Sequence, residues 1–319
     1  MTLSSTRSLV MGTRGSPLAL AQARQFAREL EAAHTDLVVE ERIIRTTGDK
    51  NQTSSLPTIG GKGVFTLEIE AALLDGTIDF AVHSLKDLPP DLPDGLTLGC
   101  IPKRESADDV LVLHDKHTSR NAIVYEGIFD TRGVIIGTSS LRRRAMILNM
   151  WPTVVVRDIR GNIDTRLKKL EDNFDAIILA EAGLKRLKIE THHTIHPLGG
   201  VGFVSAPGQG ALAIECRAND HRVLDLLSAL EDSATRMEIV AERACMRSLN
   251  AGCSTPLGAH ATSFDYGKLY LEAVVLSADG AQRIHASAKN SPENATLLGE
   301  NVAQQLLEKG AQQLLSTSS

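Results

Sequence analysis

Aromatic residues, cysteines and long apolar runs are all scarce in this sequence, and each scarcity argues against a class of protein. Phe, Trp and Tyr make up only 3% of the 319 residues, too few for extended base-stacking platforms. The four cysteines form no CxxC pair, which argues against a zinc framework and favours a reducing compartment. No stretch approaches the roughly 20 apolar residues that span a bilayer.

An excess of positive charge is also missing. The 34 basic and 39 acidic residues give a net charge of −5, which argues against general nucleic-acid binding but allows local basic clusters. The first eight residues lack the long apolar run of a signal peptide. We therefore expect a cytoplasmic protein that binds neither nucleic acid nor membranes.

The remaining composition is that of a soluble globular protein, with 42% hydrophobic and 23% charged residues. A strand over 9–13, a helix from Ser16 and Pro17 to about 34, and a strand over 37–45 predict a βαβ unit on a parallel sheet. Further strands are predicted over 80–83, 96–101, 110–114, 134–137, 154–156, 174–180, 211–215, 256–262 and 269–277. Further helices are predicted over 66–75 and 233–249, and a last one is expected to be capped at Ser291 and to run to about 307.

The length suggests two or three domains, and turn-rich crossings near 102–106 and 204–210 suggest a chain that leaves one α/β domain and returns to it. We predict a discontinuous domain 1 over 1–103 and 208–230, and a domain 2 over 104–207. Residues 231–319 are expected to form a small α+β domain 3. A cleft between the first two domains is the expected ligand site.

A glycine-rich segment over 46–63 resembles a phosphate loop but fails the motif. The position that must be glycine is Leu56, and Lys62 is followed by Gly63. A flexible lid is the favoured interpretation, with a plain loop as the alternative.

Lys86 and Asp87 follow the strand over 80–83, where open α/β sheets bind ligands. Side by side, a lysine and an aspartate can hold an anionic substrate and move a proton. The alternative is a surface ion pair before the prolines at 89 and 90.

Hydroxyl and basic side chains follow three successive strands of the second α/β region. Thr138, Ser139 and Ser140 precede three arginines at 142–144, and the next two strands are followed by Arg160 and Arg186. Hydroxyls, backbone N–H groups and guanidinium groups bind carboxylates and phosphates. A polyanionic ligand is implied, although a solvated helix face is the alternative and helical rotation prevents all three arginines from facing one ligand.

Two cysteine and histidine features have competing interpretations. His192, His193 and His196 are close in sequence, but no carboxylate or thiol pattern supports them, so no metal is expected.

Cys253 lies among small residues in a loop. From the residues alone it is a buried structural thiol, a catalytic nucleophile or an attachment point.

Ordered motifs run through nearly the whole chain. They are TRGSPLA (13–19), GGKGVFT (60–66), HSLKDLP (83–89), GTSSLRR (137–143), RGN (160–162), TRL (165–167), AGLKRL (182–187), GQGA (208–211), AERA (241–244) and GCSTPLGA (252–259). With these motifs the sequence closely resembles the porphobilinogen deaminase family, also called hydroxymethylbilane synthases.

The resemblance implies two periplasmic-binding-protein-like α/β domains around a cleft, followed by the small C-terminal α+β domain. It implies a dipyrromethane cofactor tethered by a thioether to Cys253. Four porphobilinogen molecules would add head to tail with loss of ammonia, and hydrolysis would release hydroxymethylbilane. A monomer without a metal is also implied.

The resemblance further implies roles for individual residues. Asp87 matches the catalytic aspartate, and Lys62 and Phe65 match the lid. The cofactor and substrate carboxylates are expected to bind Arg14, Gln22, Ser84, Lys86, Thr138, Ser139, Ser140, Arg142, Arg143, Arg160, Arg166, Arg186 and Gln209. The departures from the family pattern are few: Ala251 replaces a common glycine, and Asp164 and Glu181 are acidic side chains expected to face away from the ligand. The competing hypothesis is a non-catalytic, solute-binding-protein-like anion-binding module, which needs no covalent adduct.

Overall fold

The computed structural model describes residues 7–47, 66–115, 132–200, 202–252, 255–264 and 267–316. The chain divides into two compact units. Unit 1 comprises residues 1–105 and 210–236, and unit 2 comprises residues 106–209 and 237–319.

The helices and strands follow the chain closely where the sequence predicted them. The strands within the described residues are β1 (Arg7–Thr13), β2 (Leu37–Ile43), β3 (Phe80–Ser84), β4 (Leu96–Cys100), β5 (Asp109–Leu113), β6 (Ile135–Gly137), β7 (Val155–Arg157), β8 (Ala176–Ala180), β9 (Ile195–Pro197), β10 (Leu212–Arg217), β11 (Leu257–Phe264), β12 (Lys268–Leu276) and β13 (Arg283–Asn290). The α-helices are α1 (Pro17–Ala33), α2 (Leu67–Leu74), α3 (Leu141–Met150), α4 (Ile163–Asn173), α5 (Glu181–Arg186), α6 (His221–Leu227), α7 (Ser233–Ser248), α8 (Ala295–Glu308) and α9 (Ala311–Ser316).

Unit 1 contains a five-stranded sheet in the order β2-β1-β3-β10-β4. Strand β1 is parallel to β2 and β3, whereas β10 is antiparallel to both of its neighbours. The predicted βαβ unit, β1-α1-β2, is therefore confirmed, whereas the sheet that contains it is mixed and not parallel throughout. The antiparallel strand is the one that the chain supplies when it returns at Gly210.

Helix α1 covers this sheet with an apolar stripe. The Ser16 hydroxyl accepts a hydrogen bond from the Ala19 N–H at 3.3 Å, and Pro17 occupies the first helical position, as predicted. Phe26 and Leu30 lie one helical turn apart and are buried. Phe26 meets the ring of Phe80 on β3 edge to face, with centroids 5.9 Å apart.

Unit 2 contains a second five-stranded sheet, in the order β7-β6-β8-β5-β9. It repeats the pattern of unit 1: β6 is parallel to β7 and β8, and β5 is antiparallel to β8 and β9. Strand β5 is the first strand after the chain leaves unit 1, just as β10 is the first strand after the chain returns. In both sheets, the antiparallel strand in the fourth position of the strand order is thus the first strand after the chain changes units.

The C-terminal part of unit 2 is an antiparallel sheet, β11-β12-β13, packed against α7, α8 and α9. Val274 and Leu276 of β12 also join the core of the second five-stranded sheet, beside Met146 and Val204. This shared core explains why both parts belong to one compact unit. Gly258 permits the close approach, because a Cβ there would lie 2.6 Å from the Val204 carbonyl oxygen.

Several elements were not predicted from the sequence. These are β9, β13, α6 and α9. Strand β13 buries only Ala286 completely, so its sequence lacks the apolar alternation that identifies a half-buried strand. The expected cap at Ser291 is also wrong, since Pro292–Asn294 form a 3₁₀ turn and α8 starts at Ala295.

The predicted fold class, α/β with a small C-terminal α+β part, is confirmed by these sheets. The three domain bounds inferred from the sequence stay a prediction. Among the described residues, none of the helices has both the length and the apolar character needed to cross a membrane.

Candidate active site

The carboxyl ends of β1 and β3 bring the predicted unit 1 residues to one edge of the sheet. Arg14 follows β1, and Ser84 ends β3. Gln22 reaches this edge from α1: its Nε2 donates to Ser84 Oγ at 3.0 Å, and Ser84 Oγ donates to Gln22 Oε1 at 3.1 Å. The Gln22 side chain is buried, so this pair fixes the position of the serine hydroxyl.

Asp87 is presented by a short 3₁₀ turn, Leu85–Asp87. Leu85 and Leu88 are buried on either side of it. The Leu85 N–H donates to the Ala211 carbonyl and the Leu88 N–H donates to the Leu85 carbonyl, both at 3.1 Å. Asp87 itself is exposed, and its carboxylate has neither a hydrogen bond nor an ion pair within the described ranges. The turn thus holds a solvent-facing carboxylate on a fixed backbone beside Lys86.

In unit 2 the hydroxyl groups after β6 first organise the backbone. Ser140 Oγ caps α3 by accepting from the Arg143 N–H at 3.4 Å. Ser139 Oγ donates to the Ile159 carbonyl at 2.9 Å and accepts from the Ile159 N–H at 3.1 Å. The buried Thr138 Oγ1 accepts from the Ser140 N–H at 3.2 Å. These bonds tie the ends of β6 and β7 together and leave ligand contact by these hydroxyls a prediction.

Arg142 and Arg143 are buried and share one carboxylate. Arg142 Nη2 lies 2.7 Å from Asp109 Oδ2, and its Nη1 donates to the Val204 carbonyl at 2.8 Å. Arg143 Nε donates to Asp109 Oδ1 at 2.8 Å, and its Nη1 donates to the Ile178 carbonyl at 3.1 Å. Their contact with ligand carboxylates stays a prediction. The structure commits many of their donors to Asp109 and to backbone carbonyls.

Asp109 begins β5 and is completely buried. Desolvation alone would raise the pKa of its carboxyl group. The charges of Arg142 and Arg143 and a hydrogen bond from Gln209 outweigh that effect and lower the pKa to about 2. Gln209 Nε2 donates to Asp109 Oδ1 at 3.0 Å and to the Ala107 carbonyl at 2.7 Å. Gln209, predicted as a ligand residue, thus belongs to the same buried network.

Arg166 on α4 differs from these two arginines because no carboxylate among the described residues pairs with it. Its Nε donates to the Gly161 carbonyl at 2.8 Å. Burial lowers the pKa of its guanidinium group from 12.5 to about 10, and the charge of nearby Arg143 adds to the decrease. Two cations therefore lie close together at a partly desolvated edge, an arrangement that an anionic ligand would stabilise.

Arg160 and Arg186 occupy the positions that the sequence predicted, after β7 and after β8. Both are partly exposed. Because β6, β7 and β8 are parallel, their carboxyl ends meet at one edge of the second sheet, where Thr138 also lies. Of the two acidic departures, Glu181 pairs with Lys185 at 3.2 Å, and Asp164 is exposed.

Three of the four cysteines are excluded as reactive groups. Cys100, Cys216 and Cys245 are buried. Desolvation raises the pKa of their thiols to about 12, 11 and 12, respectively. A thiol attacks as the thiolate, so none of the three is reactive at neutral pH.

Cys253, Lys62 and Phe65 lie outside the described residues, as does the predicted lid over 48–63. The anchors on either side of Cys253 are described. Gly252 N–H donates to Thr255 Oγ1 at 3.1 Å, and Thr255 N–H donates to the Gly252 carbonyl at 3.0 Å. Gly252 and Thr255, the described residues on either side of the Cys253 segment, are therefore joined by two hydrogen bonds.

Sequence reasoning missed the buried acids that organise this region. Asp109 holds the two arginines, and Glu242 accepts from the Gly208 N–H at 2.6 Å and from the Ala261 N–H at 2.9 Å. In unit 1, Glu215 lies 3.0 Å from His83 Nε2, with both side chains buried. One signal was present for Asp109: an acid at the start of an apolar strand needs a cation partner.

The fold and these strand ends define an α/β protein that gathers arginine and hydroxyl groups at one sheet edge. Residues 9–225 match the family model described as porphobilinogen deaminase, dipyrromethane cofactor binding domain, and residues 236–308 match the porphobilinogen deaminase C-terminal domain. The chain belongs to the porphobilinogen deaminase family.

Curated relatives match almost from end to end. The porphobilinogen deaminases of Staphylococcus carnosus (strain TM300) and Syntrophobacter fumaroxidans (strain DSM 10017 / MPOB) are each 44% identical over 311 residues, which is 97% of this chain and 97% of each relative. A probable porphobilinogen deaminase of Nitrosopumilus maritimus (strain SCM1) is 42% identical over 308 residues, covering 96% of this chain and 94% of the relative.

The residues present fit the cofactor that the family model names. A dipyrromethane carries acetate and propionate side chains and so needs several cations. Arg166 has no carboxylate partner among the described residues, and Arg143 lies near it. A ligand carboxylate would offset the desolvation and the charge repulsion that lower the pKa of Arg166.

Proposed function

We propose that this chain is a transferase that joins four porphobilinogen molecules head to tail, with loss of ammonia, on a dipyrromethane held by Cys253. Hydrolysis then releases hydroxymethylbilane, a precursor of haem and other tetrapyrroles. The observation that carries this proposal is the ordered match of both family models across the chain. Family membership does not favour the alternative, a non-catalytic anion-binding module.

The bound dipyrromethane supplies a pyrrole carbon as the nucleophile, so no side chain of the protein has to attack the substrate. The protein's own residues then have two tasks. They bind the carboxylates of the cofactor and substrate, and they stabilise developing positive charge and transfer protons. Carboxylate binding falls to Arg14, Gln22, Ser84, Lys86, Thr138, Ser139, Ser140, Arg142, Arg143, Arg160, Arg166, Arg186 and Gln209. Lys62 and Phe65 complete the proposal as lid residues.

Asp87 is the proposed catalytic residue. Its exposed carboxylate accepts hydrogen bonds from pyrrole N–H groups and stabilises the positive charge that develops as ammonia leaves the substrate. Its rigid turn supports this role, because a catalytic group held by buried neighbours needs no reorganisation during the reaction. The absence of a competing cation among the described residues leaves the carboxylate available.

Cys253 is the proposed attachment point, through a thioether. Burial and raised thiol pKa values exclude the three other cysteines from this role. The hydrogen bonds between Gly252 and Thr255 support the assignment, because an attachment point between two joined residues would hold one end of the pyrrole chain still while the other end is extended. We also propose a cytoplasmic monomer that needs neither a metal nor a nucleic-acid or membrane partner for this reaction.

The experiment that tests the function is a product balance on the purified full-length chain with porphobilinogen. The proposal predicts four ammonia molecules and one hydroxymethylbilane for every four porphobilinogens consumed. An anion-binding module would bind porphobilinogen and release no ammonia. That result would overturn the proposal.

Replacing Arg166 with glutamine is expected to raise KM for porphobilinogen by about 10- to 100-fold and to lower the fraction of chains that carry the cofactor. Hydrogen bonds to charged groups contribute about 1.5–3 kcal/mol. Among the described residues no carboxylate pairs with Arg166, so the lost interaction would be the one with the ligand. Steady-state kinetics and intact mass measure the two effects. Lys168→Gln removes the same charge from an exposed position of α4 and serves as the control. Equal effects from the two variants would show that only net charge matters.

A further inference from the structure

A cluster of histidines and carboxylates lies at the end of the second sheet. Asp115 follows β5, His192 and His193 precede β9, and Glu171 is on α4. Pairing of β5 with β9 joins the first two segments, since the Leu113 N–H donates to the Thr194 carbonyl at 2.9 Å. Residues 77 positions apart in the chain are thereby brought together.

The ligand atoms of Asp115, His192 and His193 all lie within 4.8 Å of one another. His193 Nδ1 is 3.2 Å from Asp115 Oδ1, and His192 Nε2 is 3.3 Å from Asp115 Oδ2. Tetrahedral zinc with bonds of 2.0–2.1 Å places neighbouring ligand atoms about 3.3 Å apart. Each histidine therefore already has a nitrogen at this distance from one of the two carboxylate oxygens of Asp115, and the three ligand atoms as a set lie within 4.8 Å.

The other nitrogen of His193 is held as metal-binding histidines usually are. His193 Nε2 lies 3.0 Å from Glu171 Oε1, and the ring is almost completely buried. His114 Nε2 lies 3.0 Å from the Glu171 carbonyl oxygen and 3.5 Å from its Oε2. With Nε2–H donating to that carboxylate, an ion that replaces the proton between His193 Nδ1 and Asp115 Oδ1 would find Nδ1 already placed as its ligand atom.

We propose that Asp115, His192 and His193 bind a divalent transition-metal ion such as Zn²⁺, with Glu171 orienting His193. The two imidazole donors favour Zn²⁺, Cu²⁺ and Ni²⁺ over Mg²⁺ or Ca²⁺, which prefer oxygen ligands. The His192 side chain is 70% exposed, which gives the ion access and leaves a fourth position to water. This inference reverses the expectation from the sequence that these histidines hold no metal.

The site is separate from the proposed catalytic residues of unit 2. Strand β5 runs antiparallel to β8, so the end of β5 that carries Asp115 lies at the edge opposite Thr138, Arg160 and Arg186. The ion would fasten the end of β5 to the segment before β9. Turnover is therefore expected to be independent of it.

Isothermal titration of the metal-free, full-length protein with Zn²⁺ tests this proposal, and Co²⁺ absorption reports the geometry. One ion per chain and a tetrahedral Co²⁺ spectrum are expected. His192→Ala, at an exposed position, should weaken Zn²⁺ binding at least 100-fold without changing Tm of the metal-free protein. Glu171→Gln should weaken it by about 10- to 100-fold. His285→Ala removes a histidine that lies 3.6 Å from Glu272 in the antiparallel sheet and should change nothing.

Two results would overturn the proposal. One is a wild-type protein that binds no Zn²⁺, which would make the cluster a histidine–carboxylate ion-pair network only. The other is Zn²⁺ binding that His192→Ala and Glu171→Gln leave unchanged, which would place the ion elsewhere.

Discussion

Asp87→Ala is expected to lower kcat for hydroxymethylbilane formation by about 10²- to 10⁴-fold, the range for loss of a positioned acid–base group. The variant should fold like the wild type. Asp87 is exposed and has no described partner, while Leu85 and Leu88 hold its turn through buried contacts. The lower kcat should therefore come only from the lost stabilisation of positive charge and the lost proton transfer. A single-turnover assay measures the rate of the chemical step, and the thermal unfolding midpoint measures the stability of the fold.

Two further variants sharpen this prediction. Asp87→Asn keeps the shape and one hydrogen-bond acceptor but loses the negative charge, so its activity should stay close to that of the alanine variant. Asp94→Ala removes another exposed acid, in the turn before β4, and should retain full activity. Wild-type turnover in Asp87→Ala, or an equal loss in Asp94→Ala, would refute the catalytic assignment.

Asp109→Asn is expected to lower the free energy of unfolding by about 3–5 kcal/mol, the usual effect of removing one partner from a buried ion pair. Arg142 and Arg143 would be left buried without their shared carboxylate, and the new amide would direct an N–H group at one of the cations. Urea unfolding of the full chain measures the change. The control is Asp36→Asn, which breaks an exposed pair with Arg7 at 2.5 Å and should hardly move the midpoint.

The Asp109 carboxylate also makes the free energy of unfolding depend on pH in a predictable direction. Its pKa is about 2 in the folded protein and near 4 in an unfolded chain. The folded state therefore gains stability from Asp109 at every pH above about 4, and this contribution is lost as the pH falls towards 2. Asp109→Asn should be less stable at neutral pH and show a shallower loss of stability between pH 4 and 2. Parallel wild-type and variant curves in that window would contradict the buried-pair assignment.

Local signals predicted much of the fold. Ser16 and Pro17 marked the start of α1 because capping and proline geometry act within one turn. The strand predicted over 80–83, from the apolar residues Phe80, Ala81 and Val82 before a proline-rich turn, is confirmed as β3. What local signals could not supply was strand direction. The antiparallel strands β5 and β10 depend on where the chain changes units, and no single window of sequence contains that information.

Local sequence likewise predicted one part of the candidate site and not the other. The residue types that bind carboxylates and the strand ends that carry them were visible in the sequence. The role of Asp109 was not visible, because its partners Arg142 and Arg143 lie more than 30 residues away and meet it only after β5 has inserted into the sheet. For the same reason, the histidines at 192 and 193 looked isolated until folding brought Asp115 to them.

The intact mass of active, purified protein tests the central claim most directly. We expect the wild-type chain to be heavier than its sequence by one dipyrromethane unit, and Cys253→Ser to have the unmodified mass and no activity. Active wild-type protein at the unmodified mass, or an adduct that persists in Cys253→Ser, would contradict it.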